Sequence, residues 1–282
     1  MTWCAVIGHP ITHSLSPVIH AAAYDSLGLD WEYKSFDVSK EDAVPFLQAL
    51  DPQCRGLSVT MPNKQVIIPA LDHVDGLAKA LGSVNTVVSI SGALTGFNTD
   101  VHGVVAALNE IGADTSKPKR AVIIGGGATA SSVIAAMTQM GIADISVVAR
   151  RHGGPGSAVF AAMTLDLEVR AIPWNATKAV HEHLALADLI VSTVPAGVAD
   201  CWADTPLKPG VFFLDVVYDQ WPTRLAGHVV SRGGLVAPGW RMLLHQGHAQ
   251  VKLFTSYEAD LQIMSAALDQ ALEQRGIVNE RG

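Results

Sequence analysis

The 282-residue sequence holds only three cysteines, Cys4, Cys54 and Cys201, scattered and without a Cys-x-x-Cys pair. Neither a zinc site nor a disulfide framework is therefore expected, and reduced thiols in a cytoplasmic protein are. No uninterrupted apolar run approaches the length that crosses a bilayer, so a membrane is not an expected partner. The opening MTWCAVIGHP lacks a basic n-region and a cleavage pattern, and no signal peptide is read there. Clustered cations are also missing: 19 Lys and Arg against 26 Asp and Glu leave a formal net charge of −7. Phosphate neutralisation needs such clusters, so nucleic acid is not an expected partner either. Any anionic ligand must be held by local arginines or helix ends. What the chain does have is 49% hydrophobic residues with 25 Gly and 14 Pro, a globular profile with many turns. Its length allows one large domain or two ordinary ones.

The elements alternate. Strands are expected at TWCAVIG (2–8), WEYKSFDV (31–38) and RGLSVTMP (55–62), with helices at SPVIHAAAYDSLG and EDAVPFLQAL between them. Ser16 is expected to cap the first helix, with Pro17 at its first position. QVIIPAL and GLAKALG read as helical. VNTVVSI and ALTGFNT, joined across Ser91-Gly92, read as a hairpin. A helix follows at 101–112. The polar segment ADTSKPKR (113–120) is the best linker in the chain. Beyond it, strands are expected at 120–125, ISVVAR, 167–174, 188–193, 211–218 and 235–239. Near-continuous Val/Ile/Leu strands spaced by helices predict a parallel sheet covered on both faces. RRHGGPGSA (150–158) is a Gly-rich turn, and the tail from GWRMLLHQG onward reads as long helix. No repeat or low-complexity stretch is present.

IGGGATASS follows a strand and opens a helix, supplying Gly125-x-Gly127-x-x-Ala130. The first glycine suits the tight turn, the second a close backbone approach to pyrophosphate, and the small third residue helix–strand packing. The helix N-terminus there favours a diphosphate. An NAD enzyme usually ends the next strand on Asp or Glu. Here ISVVA ends on Arg150-Arg151, and two guanidiniums suit a 2′-phosphate, so NADP is expected.

The N-terminal half carries the candidate chemistry. GLSVTMPNK (56–64) places Ser58 and Thr60 on one strand face, ends the ladder at Pro62 and offers Lys64 just beyond. GHPITHSLSP offers Ser14 and Ser16 after the first strand; SVNT offers Asn85; GFNTD offers Asp100, for which a helix cap is an adequate role. His9, His13 and His20 are irregularly spaced and read as ordinary. A hydride cofactor needs a partner that moves a proton at the carbinol oxygen. Lys64, held by Asp100, is a candidate; a solvated loop lysine is the alternative. The residues by themselves support an NADP-linked reductase of a small polar alcohol, metal-free.

The chain resembles the shikimate dehydrogenase family nearly end to end. GHPITHSLSPVIH, GLSVTMPNK, GSVNT, TGFNTD, the glycine loop, STVPAG, DVVYDQWPT and PGWRMLLHQG fall in the family's order. The resemblance implies NADPH-dependent reversible reduction of 3-dehydroshikimate to shikimate, in the route to chorismate and the aromatic amino acids. It implies that Lys64 is the acid/base and Asp100 its partner. It implies substrate contacts from Ser14, Ser16, Thr60, Asn85 and Gln246, with Tyr218 lining the same pocket and Thr99 flanking it. Cofactor contacts are implied for Gly125, Gly126, Gly127, Ala128 and Thr129, for Arg150 and Arg151, for Thr193 and Val216, and for Gly239 and Met242. The implied fold is α/β in two domains. Residues 1–101 form the substrate domain, completed by helices from 240–282, and residues 102–239 form a Rossmann-type NADP domain. The expected site is the cleft between them, with hinges near 101 and 238. A monomer or homodimer is expected.

Three departures stand out. The usual asparagine of the lysine motif is Ser58. The glycine loop carries Ala128 in place of a further glycine and Ser131 in place of arginine. The usual Asn-Arg-Thr phosphate motif reads Ala149-Arg150-Arg151. The rivals are a quinate/shikimate dehydrogenase using NAD or both cofactors, a dinucleotide-sensing regulatory module without turnover, and a folate-linked dehydrogenase. Intact Lys64 and Asp100 argue against the regulatory module, and the Ser14/Ser16 loop with Gln246 fits a small hydroxylated acid better than a folate.

Overall fold

The computed structural model describes residues 1–113 and 118–277. Among the described residues the chain divides into two compact units, one of Met1–Thr99 with residues 243–277, the other of Asp100–Met242.

The first unit begins β1 (Trp3–Gly8), α1 (Ser16–Ser26), β2 (Glu32–Asp37), α2 (Ala43–Gln48) and β3 (Cys54–Val59). It continues with β4 (His73–Val74), α3 (Gly76–Leu81), β5 (Thr86–Ile90) and β6 (Ala93–Phe97). Among the described residues its sheet runs β2-β1-β3-β5-β6-β4. β1 is parallel to both neighbours; β3, β5 and β6 are antiparallel. The apolar run of β1 is buried throughout because it lies between two strands and under helices. The β5–β6 hairpin turns at Ser91 and Gly92, both left-handed (φ 52° and 85°), which matches the twist of the flanking strands. Ile7, Leu57, Ile67, Val84 and Val87 form part of the core beneath.

Two expectations change here. α1 begins at Ser16 itself, and Leu15 occupies the cap position without a side-chain bond. Ser14 Oγ accepts from the Ser16 N–H instead (3.3 Å), and Pro17 sits in the first turn, where a missing N–H costs nothing. QVIIPAL forms turns and one 3₁₀ turn at Ile68–Ala70 rather than an α-helix. Pro69 cannot donate back along a helix through this segment, and its ring would crowd the preceding turn.

The second unit comprises α4 (Asp100–Glu110), β7 (Arg120–Ile124), α5 (Ala128–Gln139), β8 (Asp144–Ala149), α6 (Ala158–Thr164) and β9 (Val169–Pro173). It goes on through α7 (Thr177–Leu186), β10 (Leu189–Ser192), β11 (Phe212–Asp215), α8 (Arg224–Ser231) and β12 (Leu235–Pro238). Its sheet is parallel in every pairing, in the order β12-β11-β10-β7-β8-β9. That is a doubly wound arrangement, and the order reverses between β7 and β10. Residues 114–117 of the expected linker lie outside the described residues. Its two ends belong to the second unit, so it joins α4 to β7 rather than one unit to the other.

The tail is two helices, not one: α9 (Gly239–Thr255) and α10 (Leu261–Gln274). Ser256 is left-handed at φ 63°, and Asp260 starts the second helix by accepting from Gln262 N–H at 2.8 Å. α10 packs on α1. Among the described residues no helix is long and apolar enough to cross a membrane.

Candidate active site

In the first unit the lysine loop is built by the end of β3. Thr60 N–H donates to the Ile7 carbonyl at 2.9 Å, and His9 N–H to the Met61 carbonyl at 2.9 Å. This clasp requires Gly8, since a Cβ there would lie 2.3 Å from Thr60 Cγ2 and 2.8 Å from the Met61 oxygen. Lys64 follows two residues after Pro62 and is half-buried. Its carbonyl accepts from Val84 N–H at 2.8 Å, so the loop is tied to the segment that carries Asn85.

Asn85, Thr99 and Gln246 are brought into direct contact, and all are buried. Asn85 Oδ1 accepts from Thr99 N–H (2.7 Å) and from Thr86 Oγ1 (2.7 Å). Its Nδ2 donates to Thr99 Oγ1 (2.9 Å) and to Gln246 Oε1 (3.2 Å). Gln246 is in turn anchored on its own helix through the Leu243 carbonyl (2.8 Å). The site therefore presents neutral amides and hydroxyls held in fixed orientation, a surface suited to a polyhydroxylated ligand. Ser14 is half-buried and Ser16 buried, on the turn that opens α1. The unit boundary falls after Thr99, so Asp100 is the first residue of α4 and of the second unit; it is 3% exposed.

Sequence reasoning missed a second cluster beneath these side chains. Ser58 Oγ donates to Gln250 Oε1 (2.7 Å) and accepts from Tyr33 Oη (2.6 Å). His20 Nε2 lies 3.3 Å from the same Gln250 oxygen, and its ring stacks on Tyr33. Burial drives the His20 pKa down to about 3, so the ring is neutral, and the amide oxygen facing Nε2 selects the tautomer that carries its proton there. Gln250 was legible in one respect: it stands four residues after Gln246 and shares its helix face. Among the described residues no group of three or more His, Cys, Asp or Glu is arranged to hold a metal. The cysteines are free, and burial pushes the Cys4 and Cys54 thiols up to about 12.

In the second unit the expected cofactor residues gather at the carboxyl ends of the strands. Gly125 follows β7 with φ 118°, and a Cβ there would meet Thr193 Oγ1 at 2.1 Å. Thr193, just past β10, donates to the Ile124 carbonyl (3.0 Å) and closes the loop at the reversal of strand order. Gly127 has open space where a Cβ would stand, and α5 begins at Ala128 with Thr129 in its first turn. Arg150 and Arg151 follow β8, both exposed, and neither guanidinium has a partner among the described residues. Ser131 is buried and donates to the Ala128 carbonyl (2.6 Å), so its hydroxyl hydrogen is spent on the helix backbone. Val216 and Tyr218 follow β11. Their loop is held by Asp215, which accepts from Val217 N–H (3.3 Å) and Thr223 Oγ1 (2.9 Å) and whose pKa burial pushes up to about 6. Gly239 packs against Val216, where a Cβ would lie 2.4 Å from its carbonyl; Met242 is buried three residues on.

Residues 6–87 match the family model described as the shikimate dehydrogenase substrate binding domain. The shikimate dehydrogenase (NADP(+)) of Synechocystis sp. is 34% identical over 282 residues, covering 95% of each chain. The crystal structure of Mycobacterium tuberculosis shikimate dehydrogenase is 34% identical with a TM-score of 0.83, covering 96% of this chain and 100% of that one. A shikimate 5-dehydrogenase from Thermus thermophilus, solved in complex with NADP(H) and shikimate, is 31% identical with a TM-score of 0.78, covering 96% and 100%.

Proposed function

This chain belongs to the shikimate dehydrogenase family, and we propose that it catalyses the reversible, NADP-dependent reduction of 3-dehydroshikimate to shikimate. The observation that carries this reading is the near end-to-end likeness to NADP-dependent relatives, joined to a buried cluster of neutral donors in the unit that bears Lys64. In aromatic amino acid biosynthesis the reaction supplies shikimate on the way to chorismate.

In this reading the first unit, with the tail helices, holds the substrate and the second holds the cofactor. Asn85, Gln246, Ser14, Ser16 and Thr60 bind the ring hydroxyls and the carboxylate, with Thr99 and Tyr218 lining the site. Ser14 and Ser16 suit the carboxylate, because serine hydroxyls at a helix opening can donate to it beside the free N–H groups of the first turn. The neutral amides suit the hydroxyls, since each amide both donates and accepts, and a substrate hydroxyl would take over the bond that Asn85 Nδ2 now makes to Gln246 Oε1.

The second unit fits an NADP molecule. Its Gly125–Gly127 turn leaves backbone N–H groups at the opening of α5, with room at Gly127 for a diphosphate, flanked by Ala128 and Thr129. Arg150 and Arg151, unpartnered, are the charges that would hold a 2′-phosphate. Thr193, Val216, Gly239 and Met242 would border the nicotinamide end. When bound, the cofactor supplies the hydride that reduces the C3 carbonyl.

Lys64 donates the proton that the new C3 oxygen requires and, in the oxidative direction, takes it back. Asp100 is the carboxylate that this reading assigns as its partner. No residue change is needed to run the reaction in either direction, because one lysine serves as acid and base in turn. The reading extends to a cytoplasmic monomer or homodimer, in keeping with three free thiols. Its test is enzymatic assay of the purified protein with shikimate and NADP.

A further inference from the structure

Gln250 is fully buried, and its amide has every donor and acceptor in use. Nε2 donates to the Asn85 carbonyl (3.1 Å) and to Thr86 Oγ1 (2.9 Å), while Oε1 takes Ser58 Oγ (2.7 Å) and His20 Nε2 (3.3 Å). An amide has two N–H donors and two acceptor lone pairs, so nothing is left over. Rotating it by half a turn would set Oε1 against the Asn85 carbonyl oxygen. The amide therefore sits one way only.

That direction propagates. Thr86 Oγ1, having accepted from Gln250, donates to Asn85 Oδ1 (2.7 Å). With Oδ1 committed there, Asn85 turns Nδ2 toward Thr99 Oγ1 and Gln246 Oε1. On the other side, Ser58 has given its one hydrogen to Gln250 and accepts from Tyr33, whose hydroxyl is also within reach of Ser16. Ser58 thus has no donor to offer a ligand, at the position where the family's lysine motif has an asparagine.

We propose that Gln250 is a positioning residue for the substrate. It sets which way Asn85 and Gln246 present their amides, and with Ser58 it forms one interlocked unit at the place of the motif's asparagine. This rests on the reading that Asn85 and Gln246 contact shikimate. Residues 58 and 250 are consequently coupled, and Ser58 cannot be exchanged for the motif's asparagine while Gln250 is in place.

The test is steady-state kinetics on the full chain, with shikimate and NADP varied separately and a melting curve for each variant. Gln250→Met keeps the length and removes the hydrogen bonds; it is expected to raise the shikimate KM about tenfold and leave the NADP KM within about twofold. A lower melting temperature with an unmoved shikimate KM would make Gln250 purely structural and overturn the proposal. Asn85→Ala separates the two levels. If it leaves the shikimate KM unchanged, the substrate assignment itself fails; if it raises KM while Gln250→Met does not, only the positioning role fails. Ser58→Asn, pressing a larger side chain on Gln250, is expected to raise the shikimate KM. Combining it with Gln250→Ala, which makes room, should bring KM back to within about threefold of the parent. Additive losses in the double variant would refute the coupling. Should Gln250→Met fail to fold, Thr86→Val breaks the same relay one step further on, and an unchanged shikimate KM there would equally overturn the proposal.

Discussion

In the proposed mechanism Lys64 is the side chain on which turnover depends. Lys64→Ala is expected to lower kcat by about 10²–10⁴-fold and to leave the shikimate Kd, read by fluorescence titration, within a few-fold. Loss of binding or of fold would instead make the lysine structural. Arg150 and Arg151 are exposed and unpartnered, so removing them exposes no buried charge and should not cost stability. The Arg150→Ala, Arg151→Ala double variant should raise the NADP KM by about 10- to 100-fold and spare the NAD KM, which a comparison of the two cofactors would read. His20 adds a pH dependence. Its folded pKa, about 3, lies below the unfolded value of 6.5, because the buried ring resists charging. Between those values the unfolded chain binds a proton that the folded chain does not. Stability therefore falls as pH drops below 6.5, with a limiting slope of about 1.4 kcal/mol per pH unit, and this group contributes no slope above that value. Urea unfolding at pH 5 and pH 7 should show this loss, and His20→Gln should reduce it.

At the scale of elements, the glycine loop is the most constrained. Gly125 combines a positive φ with a side-chain oxygen where its Cβ would stand. Gly125→Ala should therefore displace Thr193 and the loop, raising the NADP KM at least about tenfold while the shikimate KM holds within about twofold. Equal damage to both constants would mean that the loop supports the fold rather than the cofactor. The strands other than the two-residue β4, the β5–β6 hairpin and α5 were legible because each rests on local rules: apolar runs, a two-residue turn, a Gly-rich opening. The failures have different causes: the α9–α10 break is set by the left-handed Ser256 and the Asp260 cap, the opening of α1 by the backbone of Leu15, and the turns within QVIIPAL by Pro69, none of which changes hydrophobic periodicity. Ser58 was legible as a departure, but its tie to Gln250 was not, because the two are far apart in sequence and meet only through the packing of α9 on β3 and β5.

At the scale of the molecule, a mixed sheet bearing the lysine loop and a doubly wound parallel sheet bearing the glycine loop divide the work between substrate and cofactor. The alternation of elements made the parallel second sheet readable; its strand order, reversing between β7 and β10, is that of a doubly wound fold. The activity itself is testable in one experiment. Purified protein is given shikimate, quinate or no substrate, each with NADP and with NAD, and formation of reduced nicotinamide is followed. Reduction of NADP with shikimate is expected well above every other combination. Equal or greater rates with quinate or NAD, or no reduction in any combination, would contradict it.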